Sequence, residues 1–390
     1  MSWVIITIDL VFFIITTLTV IYLLVFSIAS TRKKQTIYPA SSRKHKFAVM
    51  FPAYKEDKVI LDSVQTFLNQ NYPREKYDLI VISDKMKEET DAALSQLPII
   101  LLKVNFENSS KAKALNFAIQ ELRDRDYDGI VIMDADNLVE NNFLELINNA
   151  FSCSCQAIQT HRKAKNLDTD TAILDGLSEE INNSIFRAGH AKLGLSAALI
   201  GSGMIFDYGW FRENINNVHT SGEDKEIEAL LLNQKIFIHY LEDVYVYDEK
   251  IRKEEAFKQQ RLRWLAAQFE SFSRTFKQLP EAIRNKNLDY CDKILQMVML
   301  PRIIILLLIL IFAAIISILH PVASIKWWVL LSLFMLALYL AIPRYMLNRK
   351  IYKAYRKLPV LGMIMLVNIF RIRKVGKQFI HTSHGETEHK

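Results

Sequence analysis

Asp134-Ala135-Asp136 directly follows the apolar run Ile130-Val131-Ile132-Met133. A buried strand that delivers two carboxylates into the loop at its end makes a site for a hard divalent cation. Mg2+ or Mn2+ takes one or two carboxylates and fills its other positions with water and phosphate oxygens. The same three residues also fit an exposed acidic turn, so their company decides. Pro52-Ala53-Tyr54-Lys55-Glu56 follows one short apolar run, and Asp84 follows another. Lys111 opens a helically spaced segment, Gly201-Ser202-Gly203 precedes an apolar patch, and Glu223-Asp224 opens a further helical segment. Gln260, Arg263 and Trp264 are spaced i, i+3, i+4, which places them on one helical face. An indole beside a guanidinium, with an amide one turn away, can close over a sugar or a diphosphate.

These residues need a scaffold that brings them together. From 47 to about 277, apolar runs of strand length alternate with helical spacing. Segments 47–51, 79–82, 99–104 and 129–133 read as strands, the first stopped by Pro52. Segments 57–70 and 111–122 read as helices. That rhythm predicts an α/β domain with a mostly parallel sheet and helices on both faces. Sheets of this kind bind ligands at the carboxyl ends of their strands. Tyr54, Glu56, Asp84, Asp134 and Asp136 all follow strands in this way.

In this order the residues resemble the membrane-integrated branch of the family 2 glycosyltransferases, which have the GT-A fold. That branch includes cellulose, chitin, hyaluronan and poly-N-acetylglucosamine synthases and ceramide glucosyltransferase. Its pattern is D, D-x-D, T-E-D and Q-x-x-R-W. Here Lys55 stands for a usual Asn, Gly222 for the Thr and Lys113 for a common Gly, and no F-x-V-T-x-K segment follows Trp264. The resemblance implies that Tyr54, Glu56 and Asp84 hold a uridine, that Lys111 approaches the diphosphate and that Asp134 supports the nucleotide sugar. It implies that Asp136 ligates Mg2+ or Mn2+ and that Asp224 is the general base. Glu223, Gln260, Arg263 and Trp264 would hold the diphosphate and the acceptor end, and Ser202 would line the acceptor site.

The implied activity is an inverting transfer from a UDP-sugar, UDP-GlcNAc or UDP-glucose first, onto a growing polysaccharide. The alternative is one sugar placed on a membrane lipid such as ceramide or diacylglycerol. A non-catalytic relative would be expected to lose Asp136 or Asp224, and an unrelated nucleotidyltransferase has no reason to carry Gln260 to Trp264. Residue by residue, blander readings exist. Glu223 and Asp224 suit the start of any helix, Trp264 suits a core, and Lys111 with Lys113 suits a solvated face. The spacing of Cys153 and Cys155 is wrong for zinc, and His190 and His239 read as structural.

Charge and hydropathy set the remaining organisation. The 390 residues carry 49 basic and 42 acidic side chains, a net +7. Residues 1–46 hold +5 and residues 344–390 hold +9, which leaves −7 on the middle of the chain. Three Cys make no disulfide framework, and basic ends beside apolar runs do not suit nucleic acid. Segment 3–28 is apolar apart from Asp9 and is long enough to span a bilayer. Asp9 is expected at the interface. Segments 303–319 and 327–342 read as a hairpin of spans joined by 320–325, with Trp327 and Trp328 at the membrane–water interface.

Basic residues flank the spans on one side, which predicts an outside N-terminus and an inside body and C-terminus at the plasma (inner) membrane. The expected organisation is therefore an anchor (1–30), a basic linker (31–46), a catalytic domain (47–277), an interfacial amphipathic helix (278–300), a hairpin (301–346) and a basic C-terminal region (347–390). Segment 358–371 would lie in the interface or re-enter the bilayer, or else be an ordinary core helix. Three spans form a narrow channel at best, so polymer export would call for homo-oligomers or an export partner. Anionic membrane lipids are expected neighbours of both basic ends.

Overall fold

The computed structural model describes residues 3–32, 36–220 and 222–371. Lys33, Lys34 and the segment beyond 371, with His381 and His384, lie outside the described residues. Among the described residues eight strands form one sheet: β1 (Phe47–Tyr54), β2 (Tyr77–Asp84), β3 (Ile100–Val104), β4 (Gly129–Ile132), β5 (Leu138–Val139), β6 (Ala157–Ala164), β7 (Met204–Asp207) and β8 (Ile238–Asp248). Their order is β3-β2-β1-β4-β7-β6-β8-β5. β3, β2, β1 and β4 are parallel, and β6 is parallel to β8. Only β7 and β5 oppose their neighbours. The expected α/β architecture with a mostly parallel sheet is therefore present.

The sheet is buried on both faces, which is why its strands read as unbroken apolar runs. Val49, Phe51, Val81 and Val131 pack to one side with Phe67 and Ile147. Their chain neighbours Met50, Ile80, Ile82, Ile130 and Ile132 pack to the other side with Leu115 and Leu231. β1 does not stop at Pro52, as its sequence predicts, but continues to Tyr54. Lys55 N–H donates to the Asp84 carbonyl, and Met133 N–H donates to the Met50 carbonyl. Odd residues of β1 thus address β2 and even ones address β4. β4 leaves the ladder after Ile132, so the N–H that Pro52 lacks is on the side where no strand requires it.

Among the described residues three helices are long and apolar enough to cross a membrane: Trp3–Ser30, Arg302–Leu319 and Pro321–Ala341. The expected link at 320–325 shrinks to His320, because Pro321 already starts the next helix. Proline is tolerated in a first turn, where its missing N–H has no helical partner. Trp327 faces the interior between the helices. It is fully buried, stacks on Phe312 at 4.8 Å between ring centroids, and donates from Nε1 to Asp9 Oδ1 at 2.7 Å. Asp9 also pairs with Lys326. Its carboxylate is thus sequestered between helices, which answers the cost of burying a charge with a cation and an N–H. Trp328 remains half-exposed.

The first membrane helix is keyed to the body at one place. Helix Asp170–Asn182 runs on into π-helical turns over Asn183–Gly189. A side chain at Gly189 would have its Cβ 2.3 Å from the Phe26 carbonyl oxygen. His190 stacks on Phe26 with ring centroids 3.7 Å apart. Tyr22 hydroxyl lies 2.7 Å from His190 Nε2 and donates to Asp292 Oδ1 at 2.7 Å. Tyr22 is on the membrane helix and Asp292 is on helix Leu288–Val298. His190 is therefore structural, as expected, and joins three elements.

Segment 358–371, for which the sequence leaves an interfacial, a re-entrant or an ordinary core helix open, forms helix Leu358–Arg371. It lies against helix Glu254–Thr275, where Asn368 Nδ2 donates to the Lys258 carbonyl at 2.9 Å. A Cβ at Gly362 would be 3.3 Å from Ile303, so the same helix also packs on Arg302–Leu319.

Gly189→Ala is expected to destabilise the protein by about 1–3 kcal/mol through overpacking. The thermal midpoint in detergent should fall, and an unchanged midpoint would contradict the close packing of these two helices.

Candidate active site

The end of β4 presents Asp134 and Asp136, and buried neighbours shape their turn. Asp134 N–H is accepted by Asn137 Oδ1 at 2.9 Å and by Ser202 Oγ at 3.2 Å. Ser202 hydroxyl also donates to Asn137 Oδ1. Asp136 accepts from Asn137 Nδ2 at 3.2 Å and from Glu249 N–H at 2.9 Å. Ser202 itself is fully buried. Its expected place on the acceptor site is not where the hydroxyl goes; it serves the acidic turn instead. Next to it, Gly203 sits at φ +62°, and a Cβ there would be 2.1 Å from Thr160 Oγ1. Only glycine fits that combination of conformation and crowding.

Lys111 is the first residue of helix Lys111–Glu121. Its Nζ pairs with Asp134, donates to the Gly201 carbonyl and lies 3.6 Å from Glu223 Oε1. Burial works against this ammonium, but Asp134, Glu223 and Asp224 outweigh it and raise its pKa. Glu223 and Asp224 begin helix Glu223–Asn233. Burial, assisted by the Asp224 and Asp134 carboxylates, pushes Glu223 up to about 7 against the pull of Lys111. The helix dipole favours an anion in this first turn, yet burial and like charges win. Asp224 is less buried and accepts from Lys225 N–H at 2.8 Å.

Gln260, Arg263 and Trp264 lie on helix Glu254–Thr275 and face one cavity with Tyr54, Glu56, Lys111, Asp134, Asp136, Glu223 and Asp224. Ten of the twelve candidate residues therefore meet. Gln260 Oε1 is buried there without a hydrogen bond. Burial lowers the pKa of Arg263, with Glu223, Asp134 and Asp224 opposing it. The guanidinium over the Trp264 ring, 4.5 Å from its centroid, belongs to Arg261 rather than to Arg263. Asp84, the other residue outside the cavity lining, is buried at the end of β2, and its Oδ1 has no hydrogen-bond partner.

A family model described as "Glycosyltransferase like family 2" matches residues 45–267. That stretch holds the sheet and every candidate residue. The chain belongs to this family. Among characterised relatives, the dolichyl N-acetyl-alpha-D-glucosaminyl phosphate 3-beta-D-2,3-diacetamido-2,3-dideoxy-beta-D-glucuronosyltransferase of Methanococcus voltae is 26% identical over 159 residues. The match covers 40% of this chain and 45% of that protein, so the chain spans less than half of it. Among solved structures, the mannosyltransferase PcManGT from Pyrobaculum calidifontis, in complex with GDP-Man and Mn2+, aligns over 93% of this chain and 98% of its own. Its TM-score is 0.60 at 16% identity, which shows a shared fold.

Among the described residues no group of three or more His, Cys, Asp or Glu converges as a metal cage. A Mg2+ or Mn2+ ion shared with a substrate does not need one, because one or two carboxylates suffice when phosphate oxygens and water complete the shell. Asp134 and Asp136 both line the cavity, and each carboxylate has about four lone-pair sites. The residues of this family 2 protein therefore fit such an ion.

Sequence reading missed a buried ion network beside the acidic turn. Arg162 on β6 pairs with Glu179 at 2.9 Å and lies 3.5 Å from Asp248. Arg187 pairs with Glu179 at 3.2 Å, and Lys250 with Asp248 at 2.8 Å. All five line the cavity. The available signal was Arg162 in the middle of a strand, because a charge there demands a partner. The cavity has a volume of about 960 Å³ and does not end at these charges. It continues to Leu306, Phe334, Leu338 and Leu361 on the apolar helices.

Glu223 is expected to titrate near pH 7, well above a free carboxylate. Lys111→Met removes the opposing cation and should drive it higher, and Asp224→Asn removes a repelling anion and should lower it. Carbon-13 NMR of labelled glutamate carboxyls checks both directions. A Glu223 that titrates alike in all three proteins would refute this arrangement of charges.

Proposed function

We propose that this family 2 glycosyltransferase moves a sugar from a nucleoside diphosphate sugar, UDP-sugars being the first to test, onto a hydroxyl of a membrane lipid. The observation that supports a lipid acceptor is the cavity. It begins among Asp134, Asp136, Glu223 and Asp224 and ends against Leu306, Phe334 and Leu338 of two membrane-type helices. An acceptor with a polar head and an apolar tail matches both ends. The polysaccharide reading stands second, on the Gln260, Arg263 and Trp264 pattern. A sugar polymer at the far end of this cavity would place hydroxyls against apolar side chains, where they lose their hydrogen bonds.

In this reading Tyr54 and Glu56 hold the nucleoside and Asp84 supports that end from beneath. Lys111, Arg263 and Gln260 hold the diphosphate. Trp264 offers a stacking face to the sugar. The acceptor oxygen attacks the anomeric carbon as the bond from that carbon to the diphosphate oxygen breaks, and the nucleoside diphosphate leaves with the electron pair. Asp224 takes the hydroxyl proton, and attack opposite the leaving group inverts the anomeric centre. A divalent ion held by Asp134 and Asp136, when bound, would neutralise charge on the phosphate oxygens. Lys111 and Arg263 supply fixed positive charge to the same leaving group.

Asp224→Asn should lower turnover by about 10²–10⁴-fold, the usual contribution of a general base, and Asp136→Asn should also abolish most transfer. Mass analysis after incubation with UDP-sugars and extracted lipids should show one added sugar mass on a lipid. A ladder of masses would instead support the polymer reading, and full activity in both variants would sink the site assignment.

A further outcome concerns pH. Below about 7 Glu223 takes up a proton, which makes the surroundings of Lys111 more positive by one charge. UDP affinity should therefore rise roughly threefold to tenfold between pH 8 and pH 6. Calorimetry should find a flat profile for Glu223→Gln over that interval, and an equally steep profile would contradict the role of this carboxyl.

A further inference from the structure

Gly222 stands directly before Glu223 and Asp224, at the start of helix Glu223–Asn233. Its φ of −114° is outside the left-handed region that favours glycine. Capping does not ask for glycine either, because Thr serves about as well as Gly before a first turn. Space does. A Cβ at 222 would be 3.0 Å from the Cβ of Ala267 and 3.9 Å from Asp224 Oδ1. A side chain there would make the facing helix Glu254–Thr275 give way.

Ala267 belongs to a stripe on that helix. It is four residues after Arg263 and three after Trp264, so it shares the face that those two make with Gln260. Gly222 and Ala267 both line the cavity beside Asp224. Seven residues further along the stripe, Arg274 pairs with Glu226 at 3.2 Å. Glu226 in turn accepts from the N–H groups of His219 and Thr220, each at 2.9 Å. The two helices are thus joined along a seam. Its outer end is an ion pair with a half-exposed arginine, which long side chains can adjust. Its inner end is backbone against a methyl group, and close packing leaves no such freedom there.

We propose that Gly222 and Ala267 are positioning residues, whose contact sets how far Arg263 and Gln260 stand from Asp224. One helix carries the base and the other carries groups that hold the leaving diphosphate, and in-line displacement needs the two at a fixed separation. This rests on the proposed roles of Asp224 and Arg263 and deepens them. The Thr of the related T-E-D pattern would hold these helices apart, and glycine lets them close.

The full chain in detergent tests this. Transfer from UDP-GlcNAc or UDP-glucose to extracted lipids gives kcat and the donor KM, and calorimetry with UDP and Mn2+ gives nucleotide affinity. Gly222→Ala should lower kcat about tenfold and Gly222→Thr about a hundredfold, the loss that a misplacement of about 1 Å brings. UDP affinity and donor KM should change less than kcat in both, because Lys111 and the acidic turn do not move with the helix. Ala267→Gly added to Gly222→Ala removes the opposing methyl and should restore most of the lost kcat, although glycine inside a helix lowers the thermal midpoint. Rate and stability moving in opposite directions separates positioning from folding. Where Gly222→Ala does not fold, Ala267→Val fills the same space from the other helix and should show the same loss of kcat. Unchanged kcat in a folded Gly222→Thr protein overturns the proposal, as does a double variant as slow as Gly222→Ala alone. The underlying roles fail separately. Full activity of Asp224→Asn and Arg263→Gln refutes those roles, whereas slow Asp224→Asn and Arg263→Gln beside a normal Gly222→Thr refutes the spacing alone.

Discussion

The Lys111 ammonium is gripped by Asp134 from the end of β4, by the Gly201 carbonyl ahead of β7 and by Glu223 from the start of a helix. These segments are far apart in sequence and would repel one another if only their carboxylates met. Asp134, Glu223 and Asp224 can share one small volume because a cation lies among them. The rest of the site inherits this constraint. The acidic turn is fixed by Asn137 and Ser202 from behind, and helix Glu254–Thr275 closes the front with Gln260, Arg263 and Trp264. A diphosphate that enters such a place meets fixed positive charge already paid down by carboxylates, so its binding is tuned by which carboxyls hold protons.

Helix Asp170–Asn182 does for the membrane side what Lys111 does for the nucleotide side. Its Glu179 balances Arg162 and Arg187, and its Asp175 and Ser178 hold Arg261 and Arg302. One helix thereby carries a row of cations from the acidic turn to the first turn of a membrane-type helix. The cavity changes from charged to apolar along that row.

Much of this was legible in the sequence because strands buried on both faces leave continuous apolar runs, and because the residues after them are free to be polar. Asp134 and Asp136 stand out that way, while Lys111, Glu223 and Asp224 stand out as helix starts and Gln260, Arg263 and Trp264 by their shared helical face. What failed depended on partners distant in the chain. Pro52 looked like a stop, since nothing local tells that β4 ends before reaching it. Ser202 looked like a site residue, but its hydroxyl is taken by Asn137. Nothing local to Trp327 tells that Asp9, about three hundred residues earlier, takes its indole N–H. Arg162, Arg187 and Glu179 carry no local motif, and only the fold shows that they are buried together.

The joint at Phe26, Gly189, His190 and Asp292 has a geometric meaning for the reaction. It ties the first membrane helix to the same continuous helix that lines the cavity. The site is therefore not suspended on a flexible tether; its distance from the first apolar helix is built into the backbone. Such a joint acts as a ruler. For the lipid acceptor proposed above, the length of the head group, from its anchoring point to the hydroxyl that is glycosylated, would have to equal the distance that this joint sets.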